Sequence, residues 1–344
     1  MLEGIVVAEF GRIFSAPLAG MILLDLGARV IKIERKGSGD ESRSYGMKLN
    51  GNVSDYFYAL NRNKEIIQLD LKNDIDLQKA RSILAKSDVL IHNSLQKSFD
   101  ALGLSYEAVR EINPRIIYTI ISGYGSMSKY KNAPSQDVTI QGLSGFMSLN
   151  GFAGDVPVKT GVPVIDYVTG QHAVIGILAA IMEREKTGKG RMVTVSLLES
   201  AIGMNAVEAV RYLNLGVITE RQGNRHNSIA PYNSYKALDG YVMVAVANDA
   251  MFERLTIALG FCPDGFETNE KRLSQIDKLE SIINDKTHKF TVGELVHLLK
   301  SNKISCEPIN NIAQALRSEE VSETNIVDQE NHLRYIKTPI NFAD

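Results

Sequence analysis

Residues 5–34 read IVVAEFGRIFSAPLAGMILLDLGARVIKIE, and their pattern decides the fold. Ile5–Phe10 is a short, apolar, β-branched run, as in a strand covered on both faces. A turn follows, and Pro17 suits the first turn of a helix, where a missing N–H goes unnoticed. That helix runs to Leu26, Gly27 ends it, and Arg29–Glu34 alternates like a second strand. The β-α-β unit then recurs. Ile66–Leu71 is strand-like, Asp74–Lys86 helical, Asp88–His92 strand-like, Tyr106–Ile112 helical and Ile116–Ser122 strand-like. Repeats of this kind predict an α/β fold: a parallel, Rossmann-like sheet with helices on both faces.

Further along, an apolar helix is expected over Val168–Lys186, closed by the turn Thr187-Gly188-Lys189-Gly190. Being apolar on most faces, it is expected to be buried. A strand over Met192–Leu197 and a helix from Leu198 to Leu213 follow. The polar stretch Glu220–Pro231 reads as a linker. Beyond it, Asn233–Ala247 reads as a hairpin turning at Leu238-Asp239-Gly240, since Asp-Gly favours tight turns. Helices near Met251–Leu259 and Val292–Lys300 complete a smaller α+β domain. The expected organisation is a large Rossmann-like domain over 1–215, the smaller domain over 216–310, and a segment, 311–344, that returns to the large domain.

Composition narrows the function. The 344 residues are 44% hydrophobic and 23% charged, the balance of a folded globular chain. A net charge of -2 offers no bulk attraction to nucleic acid or to an anionic membrane, so any bound anion needs a local site. Cys262 and Cys306 form no CxxC pair and read as reduced residues. The start lacks the basic region of a secretory leader, and the apolar run Pro17–Leu24 is cut by Asp25. No segment is expected to reach the ~20 apolar residues of a membrane span. The expectation is a cytoplasmic protein without membrane or nucleic-acid partners. No GxxxxGK[ST], HExxH or GxSxG occurs, no Cys/His cluster has zinc spacing, and the first β-α turn lacks a dinucleotide fingerprint. No metal site and no tightly bound cofactor are expected. Of the six histidines, His172 falls in the apolar helix and reads as a satisfied core residue.

The chemistry concentrates in residues 158–201, VKTGVPVIDYVTGQHAVIGILAAIMEREKTGKGRMVTVSLLESA. Asp166 stands just before the apolar helix. Read locally it is an N-cap, since Asp caps helices routinely. Two features point to a second role. So apolar a helix must begin at the edge of the core, where an ionised carboxylate has value, and Gly161 and Gly170 flank the aspartate and would let a ligand approach the backbone.

The chain resembles the family III CoA-transferases, the formyl-CoA transferase and carnitine–CoA transferase group. The resemblance rests on the order of Gly27-Ala28, Val30-Ile31-Lys32-Ile33-Glu34, Gly37 with Gly39-Asp40, and Asn61-Arg62-Asn63-Lys64. It continues through Asn113-Pro114-Arg115, Gln141 with Ser144-Gly145, Gly161 with Pro163, Asp166 and Thr169-Gly170, then Thr187-Gly188-Lys189-Gly190, Gly223-Asn224 and Ala230-Pro231-Tyr232. It implies that Asp166 is a covalent nucleophile and that the substrates are an acyl-CoA and a carboxylic acid. The family's subunits form an interlocked homodimer. A carboxylate that captures a thioester exchanges one thioester for another, so neither ATP nor metal is needed. A helix N-terminus would favour its ionised form.

The resemblance also locates coenzyme A. It implies contacts from Phe14, Ser15 and Ala16 in the first β-α turn, from Arg35 after the second strand, from Asn61, Asn63 and Lys64, from Asn93 and Ser94, and from Gln136. Arg35 and Lys64 are expected at the carboxyl ends of neighbouring strands, where open α/β sheets bind ligands. Arg211, Arg221 and Arg225, near the domain junction, are candidates for recognising the acid. Departures from the family are also present. Ala101 replaces a basic residue, leaving Lys97 to supply the charge, and the family continues some tens of residues past the Thr338-Pro339 region. Gln136 stands where related α-methylacyl-CoA racemases carry a histidine, and glutamine has no proton to exchange near neutral pH. The resemblance thus favours transfer over racemisation, with a non-catalytic CoA-binding protein as a further alternative.

Overall fold

Val7, Ala8 and Glu9 are all fully buried, which marks Val6–Glu9 (β1) as an interior strand. The computed structural model describes residues 1–343. After β1 its main elements are α1 (Ser15–Asp25), β2 (Arg29–Arg35), α2 (Asp55–Asn61), β3 (Glu65–Leu69), α3 (Asp74–Leu84), β4 (Val89–His92), α4 (Tyr106–Ile112), β5 (Ile117–Ser122), α5 (Asp137–Leu143), α6 (Val164–Thr187), β6 (Met192–Ser196) and α7 (Leu197–Met204). The six strands pair in parallel in the order β3-β2-β1-β4-β5-β6. The chain winds outward from β1 to β3 and then restarts on the other side at β4. The switch point therefore lies between β1 and β4, and ligands of such sheets bind beyond the carboxyl ends of those strands.

Alternation along β1 feeds two cores. Val7 joins Leu23, Ile91, Ile117, Ala173 and Ile177 under α1 and α6. Ala8 joins Ile33, Leu84, Leu90, Val109 and Tyr118 under α3 and α4. The long helix departs from expectation in three ways. It begins at Val164, so Asp166 lies inside its first turn rather than ahead of it. Only one face is buried, through Ile165, Ala173, Val174, Ile177 and Ala180; Tyr167, Ile175 and Met182 are exposed. His172 is also exposed, its Nδ1 3.0 Å from Ser200 Oγ, and is no core residue. Third, this 24-residue helix is long and apolar enough to cross a membrane by length and composition, contrary to the sequence reading. It packs against α1, β5 and β6 as the core helix of the sheet.

The chain forms two compact units. The first comprises residues 1–147, 159–218 and from Asn325 onward; the second comprises 148–158 and 219–324. The sequence reading placed 148–158 in the large domain and resumed that domain at 311, whereas 148–158 belongs to the second unit and the first resumes at Asn325. The returning segment is tied to α1 through Asp25, whose carboxylate accepts from Arg62 Nη1 at 2.8 Å, Arg62 Nη2 at 2.7 Å and Thr338 N at 2.9 Å. In the second unit, Tyr232–Lys236 and Tyr241–Ala245 form the expected hairpin, and Ser305–Pro308 adds a third antiparallel strand that local pattern did not reveal. Helices Asp249–Leu259, Ile276–Thr287 and Val292–Ser301 close its core around Tyr235, Val244, Phe252 and Leu279.

Candidate active site

After β1 the chain turns through Ile13, whose φ of +67° is unusual for a β-branched residue. Buried charge holds it there. The Asp40 carboxylate accepts from Ile13 N at 3.1 Å and from Ser42 N at 2.9 Å. Lys32 Nζ, wholly buried, reaches Asp40 Oδ2 at 2.9 Å, Glu9 Oε1 at 2.9 Å and Gly11 O at 2.8 Å. Lys64 Nζ donates to the other Glu9 oxygen at 2.7 Å, to Pro17 O at 2.8 Å and to Asn61 Oδ1 at 3.1 Å. Burial pulls the Lys64 ammonium down to about 8 while Glu9 pulls it back up, so it stays charged at neutral pH. Burial would raise Asp40, but Lys32 and Ser42 hold its carboxyl below the ordinary value. Across the switch point, Asn93 accepts from Arg12 N at 2.9 Å and donates to Arg12 O at 2.8 Å.

The facing wall is the start of α6. Asp137, first residue of α5, accepts through Oδ2 from Ile165 N at 2.8 Å and Asp166 N at 3.0 Å. It satisfies N–H groups that have no partner within the helix. Gln141, one turn on, donates to Asp137 Oδ1. It also accepts from Thr160 N at 3.1 Å and donates to Thr160 Oγ1 at 3.1 Å. The capping that Asp166 offered in the sequence is thus done by Asp137 from another helix. Asp166 is left to line a cavity of about 450 Å³ beyond the ends of β1, β4 and β5.

Burial pushes the Asp166 carboxyl from an ordinary 3.8 up to about 6; a hydrogen bond with Ser15 works against the rise, and the nearby Asp137 adds to it. Burial thus outweighs what the helix N-terminus alone favours. At pH 7 the carboxylate is still ionised about ten to one, but poorly solvated. Tyr56, on the same cavity, is pushed up to about 12 by burial and by the negative charge of Asp166, so its hydroxyl keeps its proton.

The structure sorts the residues singled out in the sequence. Phe14, Ser15, Asn93, Gln136 and Asp166 line this one cavity. Arg35 and Ser94 line a second, of about 690 Å³, together with Lys36 and Lys72; Arg12 borders both. Ala16 is fully buried. Asn63 is exposed, with φ +59°, and borders neither cavity. Asn61 and Lys64 line neither cavity: both are buried, Lys64 donates to Glu9 and to Asn61 Oδ1, and Lys64 stands at the amino end of β3, not at the carboxyl end expected. Asn93 spends its whole amide on Arg12. Lys97 is exposed and lines neither cavity, and Lys36 and Lys72 supply the basic charge beside Arg35 instead. Gly170 serves packing rather than ligand approach, since a Cβ there would lie 2.8 Å from Ser15 O and 3.0 Å from Leu18 Cδ2. The three arginines proposed to read the acid are already engaged: Arg211 with Glu208, Arg221 with Asp155 O, and Arg225 with Asp277 and Glu280. Tyr56, Asp137 and Lys159 went unrecognised as site residues. Each carries a common side chain with no local motif, and tertiary packing brings Tyr56 and Asp137 to the cavity that Lys159 and Asp166 also line.

Residues 2–344 match the family model for CoA-transferase family III. The chain belongs to CoA-transferase family III. It is 34% identical over 330 residues to a succinate–glutarate CoA-transferase of Agrobacterium fabrum, covering 93% of this chain and 82% of that one. It is 31% identical to the human succinyl-CoA:glutarate CoA-transferase, covering 96% and 76% of the two chains. A crystal structure of a CAIB/BAIF family protein from Brucella suis superposes with a TM-score of 0.93 at 33% identity, covering 100% of this chain and 93% of that one. Similar proteins are named CoA-transferases, and this chain shares their family.

Proposed function

We propose that this enzyme moves CoA between carboxylic acids, at least one of them a dicarboxylic acid, with Asp166 as the covalent nucleophile. The observation that carries this is the state of Asp166: relieved of capping by Asp137, open to a cavity, and held near a pKa of 6 by burial. A poorly solvated yet ionised carboxylate is a competent nucleophile. Its oxygen attacks the thioester carbonyl of an acyl-CoA, giving an aspartyl mixed anhydride and CoA thiolate. The thiolate attacks the aspartyl carbonyl, forming an aspartyl-CoA thioester and releasing the first acid. The second acid's carboxylate attacks that thioester, and the returning thiolate takes the new acyl group, freeing Asp166. Each step exchanges one acyl bond for another, so this chemistry calls for no tightly bound cofactor. Dicarboxylic acids are the named substrates of similar proteins, including the succinate–glutarate and acetyl-CoA:oxalate transferases.

In this reading the nucleotide end of CoA occupies the Arg35 cavity, where Arg35, Lys36 and Lys72 meet its phosphates. The thioester end passes Arg12 and Ser15 to reach Asp166. Proton exchange of the racemase kind lacks a second titratable partner at position 136, where Gln136 borders the cavity. The same proposal places the enzyme in the cytoplasm as a homodimer. Support for a second copy comes from helix Ala206–Leu215 and the residues after it, where Val207, Leu213, Leu215 and Ile218 are more than two-thirds exposed.

The test is direct. Incubation with an acyl-CoA should leave a hydroxylamine-sensitive acyl or CoA adduct on the Asp166 peptide, read by mass spectrometry. A CoA-binding protein without catalysis would instead bind CoA equally well as wild type and as Asp166→Ala, and form no adduct.

A further inference from the structure

Two cations border the Asp166 cavity, and they are in different states. The Arg12 guanidinium lies 2.6 Å from Glu41, and its backbone is clasped on both sides by Asn93. Lys159 has no carboxylate within ion-pair distance among the described residues; its ammonium donates to Thr160 O at 3.0 Å. Its backbone is nonetheless fixed. Thr160 N is held by Gln141 Oε1 at 3.1 Å, and Thr160 Oγ1 donates to Val162 O at 2.7 Å. The charge is therefore carried on an anchored base by a flexible four-carbon stem. Burial raises the titration of Asp166, with Asp137 adding to the rise and Ser15 opposing it. Lys159 and Asp166 thus line one cavity, and no ion pair joins them. Phe14, Val138, Val162, Pro163 and Leu197 give the same cavity an apolar lining.

We propose that Lys159 binds the distal carboxylate of a dicarboxylic acid and so sets the acid specificity of the enzyme. The inference rests on the reading of Asp166 as the CoA-transfer nucleophile. The reacting carboxylate of any acid must meet the carbonyl carbon at Asp166, so only a second anionic group has use for a cation placed elsewhere in the cavity. A dianion also enters a space that already holds the Asp137 carboxylate, and a cation offsets that repulsion. A monocarboxylate of the same length places an apolar end beside the ammonium and leaves it without an anionic partner. The long stem lets the ammonium follow acids that differ by a carbon or two, so the discrimination is by charge rather than by length.

The full-length enzyme is assayed with one acyl-CoA donor against two acceptors matched in carbon number, glutarate and pentanoate; effects on the common donor cancel in the ratio. Lys159→Met is expected to raise KM for glutarate about tenfold or more, with kcat within about twofold and pentanoate unchanged or improved. Lys159→Arg is expected to recover most of the loss. Equal effects on the two acids, no effect on either, or a wild-type preference for pentanoate would overturn the role of Lys159 while the Asp166 adduct still forms. Absence of any adduct on Asp166 in the wild type, with a donor that it turns over, would instead take down the CoA-transfer reading and this one with it.

Discussion

On the β1 side of the cavity, Glu9, Lys32, Asp40 and Lys64 form a chain of ions sealed from water, and that chain holds the backbone at Ile13 and Pro17. On the α6 side, one carboxylate, Asp137, works with the amide of Gln141 and the hydroxyl of Thr160, and the last two are neutral. The difference lies in what each wall risks. Removing one member of a buried ionic chain strands its partner's charge in a medium that cannot solvate it. Removing one member of a capping clamp costs a hydrogen bond or two at a helix end that water can partly repair. The first wall is expected to govern whether the large unit folds, the second how well Asp166 is tuned.

Asp166 stands between the walls, and its removal is the largest expected effect. Asp166→Asn should lower turnover on the order of a thousandfold or more, measured as CoA transfer between two acids. Stability should move the other way. The folded carboxyl titrates near 6, above its ordinary 3.8, so between those pH values the folded state binds more protons than the unfolded one. This group's contribution therefore improves as pH falls through 6, and at pH 7 to 8 the ionised carboxylate is a liability. The neutral variant should melt at a higher temperature than wild type at pH 7.5, and a lower one would show that the folded state stabilises the charge.

Next in size is the ionic wall. Glu9→Gln leaves Lys32 and Lys64 facing each other without their shared anion, and should cost about 3–5 kcal/mol in urea unfolding. A loss below that of a capping mutant would erase the contrast between the walls. Gly170→Ala tests the seam where α6 crosses α1, since its Cβ would press on Ser15 O and Leu18. Overpacking of this kind costs about 1–3 kcal/mol, and because Ser15 hydrogen-bonds Asp166, activity should fall more than stability does. The smallest expected effect sharpens the α6 side. The kcat/KM of wild type should fall on the acid side near pH 6. Asp137→Asn removes a negative charge that raises Asp166, so that limb should move to lower pH. A limb that moves up, or stays fixed, would show that Asp137 acts only as a cap.

Legibility followed the range of the forces involved. The run from Ile5 to Glu34 announces strand, helix and strand because periodicity and turn chemistry are local, and the parallel sheet follows from their repetition. Asp166 stood out because it opens an apolar helix. Lys64 was misread as a ligand because a lysine beside a strand looks the same in sequence whether it faces solvent or Glu9. Asp137 was missed as a cap because the helix it caps starts 27 residues later.

By itself, the sequence determined the β-α-β frame and the family and singled out Asp166, since each is written in contiguous residues whose spacing fixes which face or end they occupy. Only the tertiary structure decided which charges are spent on one another and which are left for a substrate. That division depends on distances between side chains far apart in the chain and on their exclusion from water. Lys64 and Lys159 are chemically the same residue; burial against Glu9 makes one a rivet, and an open cavity leaves the other a hand.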